Sequence, residues 1–227
     1  MDSRLRGFTL IEIAIVLVII GLLLGGVLKG QELITAARVR NLVAQQDGIK
    51  AAFFGFQDRY RALPGDYKDA GTSLNCAGGC PAGNGDGRIT DTGPREDIFV
   101  WTHLTAAGFI NGAYSATSSA SALLPDNTPS NPYNTFIRLA YDQDYGTSAS
   151  PQTLRHNLKT GNQVPVEILA EVDRKIDDGN AYAGAFQFSA FAGDGASQPV
   201  EFDCVDFGTG NWYISNGTTN CGGTSLF

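Results

Sequence analysis

Gly7-Phe8-Thr9-Leu10-Ile11-Glu12, with the apolar run that continues to Leu28, decides how this chain is built. The leader before it is polar, carries Arg4 and Arg6, and ends in Gly7. From Phe8 to Leu28 a single charge, Glu12, interrupts a nearly pure apolar stretch. As a helix this run suffices for a bilayer core, which takes about 20 residues. A carboxylate at mid-membrane costs roughly 2.5–3.5 kcal/mol on insertion scales. The run holds no basic residue, so a compensating charge has to come from outside it. A secretory signal peptide differs on both counts: its apolar core is about 7–15 residues and its small-residue cleavage site follows that core. Here the glycine comes first. Arg4 and Arg6 precede the span while Lys29, Arg38 and Arg40 follow it, so the bias of basic residues leaves orientation open.

Past Leu28 the helical pattern continues. Leu33, Ile34, Ala37, Val39, Leu42 and Val43 recur near a 3.6-residue period, and Ile49, Ala52, Phe53, Phe56 and Tyr60 extend it. Phe8–Arg61 therefore reads as one helix of roughly 80 Å at ~1.5 Å per residue. Its first half is apolar all round and its second half amphipathic. Leu63-Pro64-Gly65-Asp66 stops it, because proline drives the residue before it out of the α region. Downstream, Asp97–Ala107 is expected as a short helix with Asp97 as N-cap and Gly108 as its stop, and Pro165–Asp178 as a second. Strands are expected at Phe136–Tyr141, Gly184–Phe191, Val200–Phe207 and Asn211–Ser215. The sum is an α+β chain: a long hydrophobic then amphipathic helix, its second half packed on an antiparallel β-sheet head. The expected divisions are a leader (1–7), an apolar helix half (8–28), an amphipathic half (29–61) and a globular head (62–227).

The net charge of −7 argues against a sequence-independent nucleic-acid binder, which needs a basic face to displace counterions. No nucleic-acid partner is expected. The four cysteines, Cys76, Cys80, Cys204 and Cys221, allow three disulfide connectivities. Local pairing is favoured because each pair, Cys76–Cys80 and Cys204–Cys221, brackets a Gly-rich loop. A four-cysteine zinc site is the rival, and the wide second spacing counts against it. The Cys204–Cys221 loop is expected at the surface, holding Trp212 and Tyr213.

GFTLIEIAIVLVIIGLLLGG resembles the class III signal of type IV prepilins and pseudopilins. The resemblance implies cleavage after Gly7 by a prepilin peptidase on the cytoplasmic face, then N-methylation of Phe8. It also implies a filament in which Glu12 of one subunit pairs with the Phe8 ammonium of its neighbour. Pilins have the lollipop form read above. Expected partners follow: other filament subunits, the peptidase/methylase, an inner-membrane assembly platform, and lipid before assembly. Localisation is expected to pass from a single-pass inner-membrane protein to a periplasmic or extracellular filament. One departure stands out. Many pilins carry a proline about six turns into the mature helix, where this chain has Lys29 and no proline before Pro64. LPGD, the GNGDG run, WTHL with AGF, and DRKIDDGN also look like segments of a prepilin-like subgroup, which extends the resemblance over most of the chain.

Catalytic motifs do not emerge: there is no GxSxG elbow, no HExxH and no phosphate loop, and His103 and His156 are the only histidines. No enzyme is expected. Asn84-Gly85-Asp86-Gly87-Arg88-Ile89 partly matches a calcium loop, lacking the first ligand and the terminal glutamate. Asn84, Asp86 and Asp91 are the candidate Ca²⁺ ligands, with Glu96 or Asp97 able to fill in. The competing reading is a turn whose Asn and Asp bond their own backbone. His103 reads as a packed or surface histidine, and Asp173, Asp177 and Asp178 as helix-surface charge. Two rivals to the pilus reading stand: a type II secretion pseudopilin, and a membrane-tethered binding or enzymatic head.

Overall fold

Helix α1, Leu10–Tyr60, carries Glu12 in its first turn and Arg59 in its last, charges of the right sign for its two ends. Arg61 closes it in the left-handed region at φ 54°, its N–H still bonded to the Gln57 carbonyl at 2.9 Å. Pro64 then forbids continuation. The computed structural model describes residues 10–76, 78–149, 152–193 and 197–227. These fall into two compact units, one ending at Arg38 and the other spanning Val39–Phe227.

In the first unit the helix is apolar on every side, and its large side chains stand exposed, from Leu10 and Ile11 through Leu17, Leu22 and Leu28 to Leu33 and Ile34. A helix that is hydrophobic all round requires an apolar surrounding, lipid or other helices. Gly21, Gly25, Gly26 and Gly30 have open space where a Cβ would sit. Lys29 and Glu32 pair at 2.7 Å on the exposed surface, which contributes at most about 1 kcal/mol.

In the second unit the amphipathic part of α1 supports two cores. Val39 and Leu42 join Val166, Leu169 and Val172 of α4 (Val166–Ile176), with Phe186 of β3 (Phe186–Phe188) and Trp212. Two to four turns beyond Leu42, Ile49, Ala52, Phe53 and Phe56 meet Trp101 and Leu104 of α3 (Glu96–Ala106). Leu139 of β1 (Arg138–Asp142) and Leu158 of β2 (Arg155–Lys159) close that second core. Burial of each such large apolar side chain contributes about 1.5–3 kcal/mol. Short helices α2 (Ala70–Ser73) and α5 (Glu201–Cys204) and strand β4 (Gly223–Leu226) complete the regular elements.

Among the described residues, four strands form one antiparallel sheet in the order β1-β2-β4-β3. Its two central strands, RHNLK and GTSL, are polar in sequence and were not among the expected strands. Three of their buried polar side chains find partners within the sheet: the Thr224 hydroxyl donates to Asn157 at 3.2 Å, and Lys159 pairs with Asp142 at 2.8 Å. Val200–Phe207, expected as a strand, instead begins as α5 and keeps a single bridge, Val205 to Trp212. Asn211–Ser215 likewise keeps bridges at Asn211 and Trp212, then turns into a short 3₁₀ segment at Ile214–Asn216. Nor does Asp97 cap α3. Arg95 takes the cap position, and Asp97 is buried in the first turn, gripped by Arg95 at 2.8 and 2.9 Å and by Arg138 at 3.3 Å. An ion pair outweighs a cap there because a buried carboxylate needs a full countercharge.

Candidate functional site

Three of the motifs downstream of α1 converge on one polar assembly. Asp66, from LPGD, is buried and accepts three N–H groups of the GNGDG loop. Its Oδ1 takes those of Gly85 at 2.5 Å and Asp86 at 3.0 Å, and its Oδ2 takes that of Gly87 at 2.8 Å. Glu96, at the start of α3, holds the loop from the other side. It accepts from the Asn84 N–H at 3.0 Å and from the N–H and hydroxyl of Thr90 at 3.1 and 3.2 Å. His103, two turns further along the same face of α3, accepts the Gly65 N–H on Nδ1 at 2.9 Å and donates from Nε2 to the Pro81 carbonyl at 2.7 Å. Backbone therefore runs tight against these groups: a Cβ on Gly83 would lie 2.4 Å from Asp66 backbone, and one on Gly65 2.5 Å from the Glu96 carbonyl.

Electrostatics follow from burial. Desolvation pushes the Asp66 and Glu96 carboxyls up despite the N–H groups that pull them down. His103 is wholly buried, and desolvation lowers it to about 4, against the raising effect of the Pro81 carbonyl. Both ring nitrogens are engaged, so His103 is a neutral cross-link and not an available base.

The candidate cation ligands separate. Asn84 and Asp86 remain in the loop, each accepting a backbone N–H two residues on, at 2.8 and 2.9 Å. Asp91 leaves the set, because its carboxylate is drawn into an ion pair with Arg138. The carboxylates that converge are Asp66, Asp86 and Glu96, one oxygen of each lying within 4.8 Å of the others. Asp66 joins them although the sequence presents it only within the helix-stopping LPGD, twenty residues from Asp86. A second acidic group, Asp173, Asp177 and Asp178, also converges. Asp173 is not surface charge: it is fully buried and accepts the Trp212 Nε1–H at 2.7 Å. Desolvation raises its carboxyl to about 6.

Trp212 thus points inward, at 4% exposure, while Tyr213 beside it is exposed. The loop that carries both is closed by Cys204–Cys221, and Cys76–Cys80 closes the shorter loop before Pro81. Gly7 and Phe8 lie outside the described residues; Glu12 sits in the first turn of α1.

A long N-terminal helix with an antiparallel sheet makes this an α+β protein of the pilin-like fold. The helix is also long and apolar enough to cross a membrane. The family model for the prokaryotic N-terminal methylation motif matches residues 2–28, so the chain carries the prepilin-type signal. That motif supports a pilin- or pseudopilin-like subunit. No curated protein and no solved structure matches the chain.

Proposed function

We propose that this chain is a structural subunit of a type IV pilus-like filament, held in the inner membrane, cut after Gly7, N-methylated at Phe8 and then assembled helically. The observation that carries the reading is the methylation motif at residues 2–28 fronting a helix whose apolar side chains are exposed all round. Cleavage creates an α-ammonium at Phe8, and methylation keeps its charge. In a filament the Glu12 carboxylate of one subunit meets that ammonium on the next, so two charges that are costly apart in an apolar core become tolerable together. The partners of this reading are neighbouring subunits, the prepilin peptidase, a membrane assembly platform and, before assembly, lipid.

The test is Glu12→Ala in cells without a native copy. Insertion and cleavage need no charge pair and should proceed normally. Incorporation into filaments should fall severely, because the neighbour's ammonium is left unpaired, a loss of about 3–5 kcal/mol for one side of a buried pair. Wild-type incorporation would remove the pair from the mechanism.

A second reading, a type II secretion pseudopilin, draws support from the converging Asp66, Asp86 and Glu96, since the resemblance to pseudopilins brings calcium sites with it. Carboxylate oxygens are the donors Ca²⁺ takes. In this reading Ca²⁺ would be held by those three residues and would offset their mutual repulsion. Millimolar Ca²⁺ should then raise the melting temperature of the head over that in a chelator by several degrees, as any ligand of the folded state does. Identical melting curves would leave the N–H groups of the loop as the cluster's sole counterpart.

A further inference from the structure

The C-terminal part of the head carries an exposed aromatic patch. Phe202 of α5, 70% exposed, stacks on Phe207 with ring centres 4.5 Å apart, and Phe207 meets Tyr182 at 6.1 Å. Ile214 is exposed as well, in the 3₁₀ segment tied to α5 by the bond from the Asn216 amide to the Asp203 carbonyl at 2.9 Å. The Cys204–Cys221 bridge anchors the end of α5 beneath them. Large apolar side chains gathered on a surface mark an interaction site, and covering each one contributes about 1.5–3 kcal/mol.

Charge selects the partner. From Ile176 to Phe227 the chain has the carboxylates of Asp177, Asp178, Asp194, Glu201, Asp203 and Asp206 and no Lys, Arg or His. Asp203 is exposed next to Phe202. Burial, and then the neighbouring Glu201 and Asp206 carboxylates, push the Tyr182 hydroxyl up, so those two charges also lie at the patch. An anionic lipid surface would be repelled and a basic protein face drawn in. The chain itself offers such a face. From Lys29 to Arg61 it has six basic residues and three acidic ones. Each of those acids has a basic neighbour: Glu32 pairs with Lys29, Asp58 with Arg61, and Asp47 supports the Lys50 ammonium. Arg40 is exposed and lies roughly 200° round α1 from the buried Leu42. Ala44, Gly48 and Ala51 follow it on that outward side, all exposed, so no bulky side chain bars approach. An acidic aromatic patch on one surface and a basic helix face on another make a heterologous contact, the kind that propagates into a helical filament when its rotation does not close.

We propose that the Phe202–Phe207 patch of one subunit docks on the Arg40 face of α1 in a second copy of the chain. The inference rests on the filament reading and adds to it a contact between heads, separate from the apolar stalks and from Glu12.

The experiment places a photoactivatable benzophenone amino acid at Phe202 of the full-length protein, in cells without a native copy, and maps the irradiated product by peptide mass. A covalent dimer should join position 202 to the α1 peptide that contains Arg40. Asp203→Lys and Arg40→Glu replace exposed side chains, so each variant should keep the wild-type melting temperature. Each should lower the dimer yield about tenfold, because like charges then face each other. Combining the two exchanges the signs and should restore the yield. The inference is overturned if position 202 is captured by lipid, by another protein or by a different part of the chain, if no dimer forms, or if the exchange restores nothing. Any of these results in assembled protein that begins at Phe8 overturns the head contact alone. A chain that never assembles overturns the contact and the filament reading together.

Discussion

His103 shows how one buried side chain can organise a loop. Accepting from Gly65 and donating to Pro81, it ties the turn after α1 to the segment that follows the Cys76–Cys80 bridge. That geometry demands the neutral ring with its proton on Nε2, which is the form burial favours. The folded value of about 4 lies below the unfolded value near 6.5. Below pH ~6.5 the unfolded chain takes up a proton that the folded chain refuses. The stability tied to neutral His103 is therefore complete above pH ~6.5 and is lost as pH falls toward 4. In ¹⁵N-detected histidine spectra, His103 should still be neutral and protonated on Nε2 at pH 5. A midpoint near 6.5 would contradict this account. In the sequence this position reads as a packed or surface histidine, and its partners are not legible there, since both are backbone atoms set by the loop path.

At the scale of elements, legibility followed hydrophobic period. The amphipathic stretch of α1, the body of α3 and all of α4 declare themselves through apolar residues spaced for one face. The central strands β2 and β4 do not. Asn157, Lys159, Thr224 and Ser225 occupy buried positions that pattern reading assigns to apolar residues. Cross-strand partners satisfy three of them: Asn157 with Thr224, and Lys159 with Asp142. Such pairing is a tertiary fact that no local window contains. Glu201–Cys204 failed in the opposite sense, since Val200, Phe202, Val205 and Phe207 alternate loosely enough to pass for a strand. Phe202 is in fact exposed and stacks on Phe207 at 4.5 Å. The Cys204–Cys221 bridge makes this C-terminal segment one unit, because it holds the loop whose Trp212 reaches back to Asp173 of α4. Replacing both cysteines with serine should cost about 2–5 kcal/mol, the usual loss for a native bridge in a small secreted domain. Urea unfolding of the oxidised and substituted proteins measures it. An unchanged midpoint would mean that the Trp212–Asp173 contact and the strand pairing of β4 secure the segment without the bridge.

For the whole molecule, the division of labour between the two units is written in where their apolar surface goes. Val39–Phe227 closes its apolar face on its own sheet and helices. The stretch before it leaves its apolar side chains exposed, and a helix of that character requires lipid or other helices around it. The candidate polar assembly of Asp66, Glu96 and His103 was legible as separate motifs and not as a site, since its members are brought together by the loop's return across the end of α1. The processing signal was legible in full because it is local: the order Gly-Phe-Thr-Leu-Ile-Glu before an apolar run needs no tertiary structure to be read. The central claim is that this signal is cut and methylated. Mass spectrometry of the protein isolated from its assembled state tests that most directly. The account predicts a chain that begins at N-methylated Phe8, and predicts that Gly7→Val abolishes it and leaves the full-length precursor in the membrane. Assembled protein that still begins at Met1 would contradict the account.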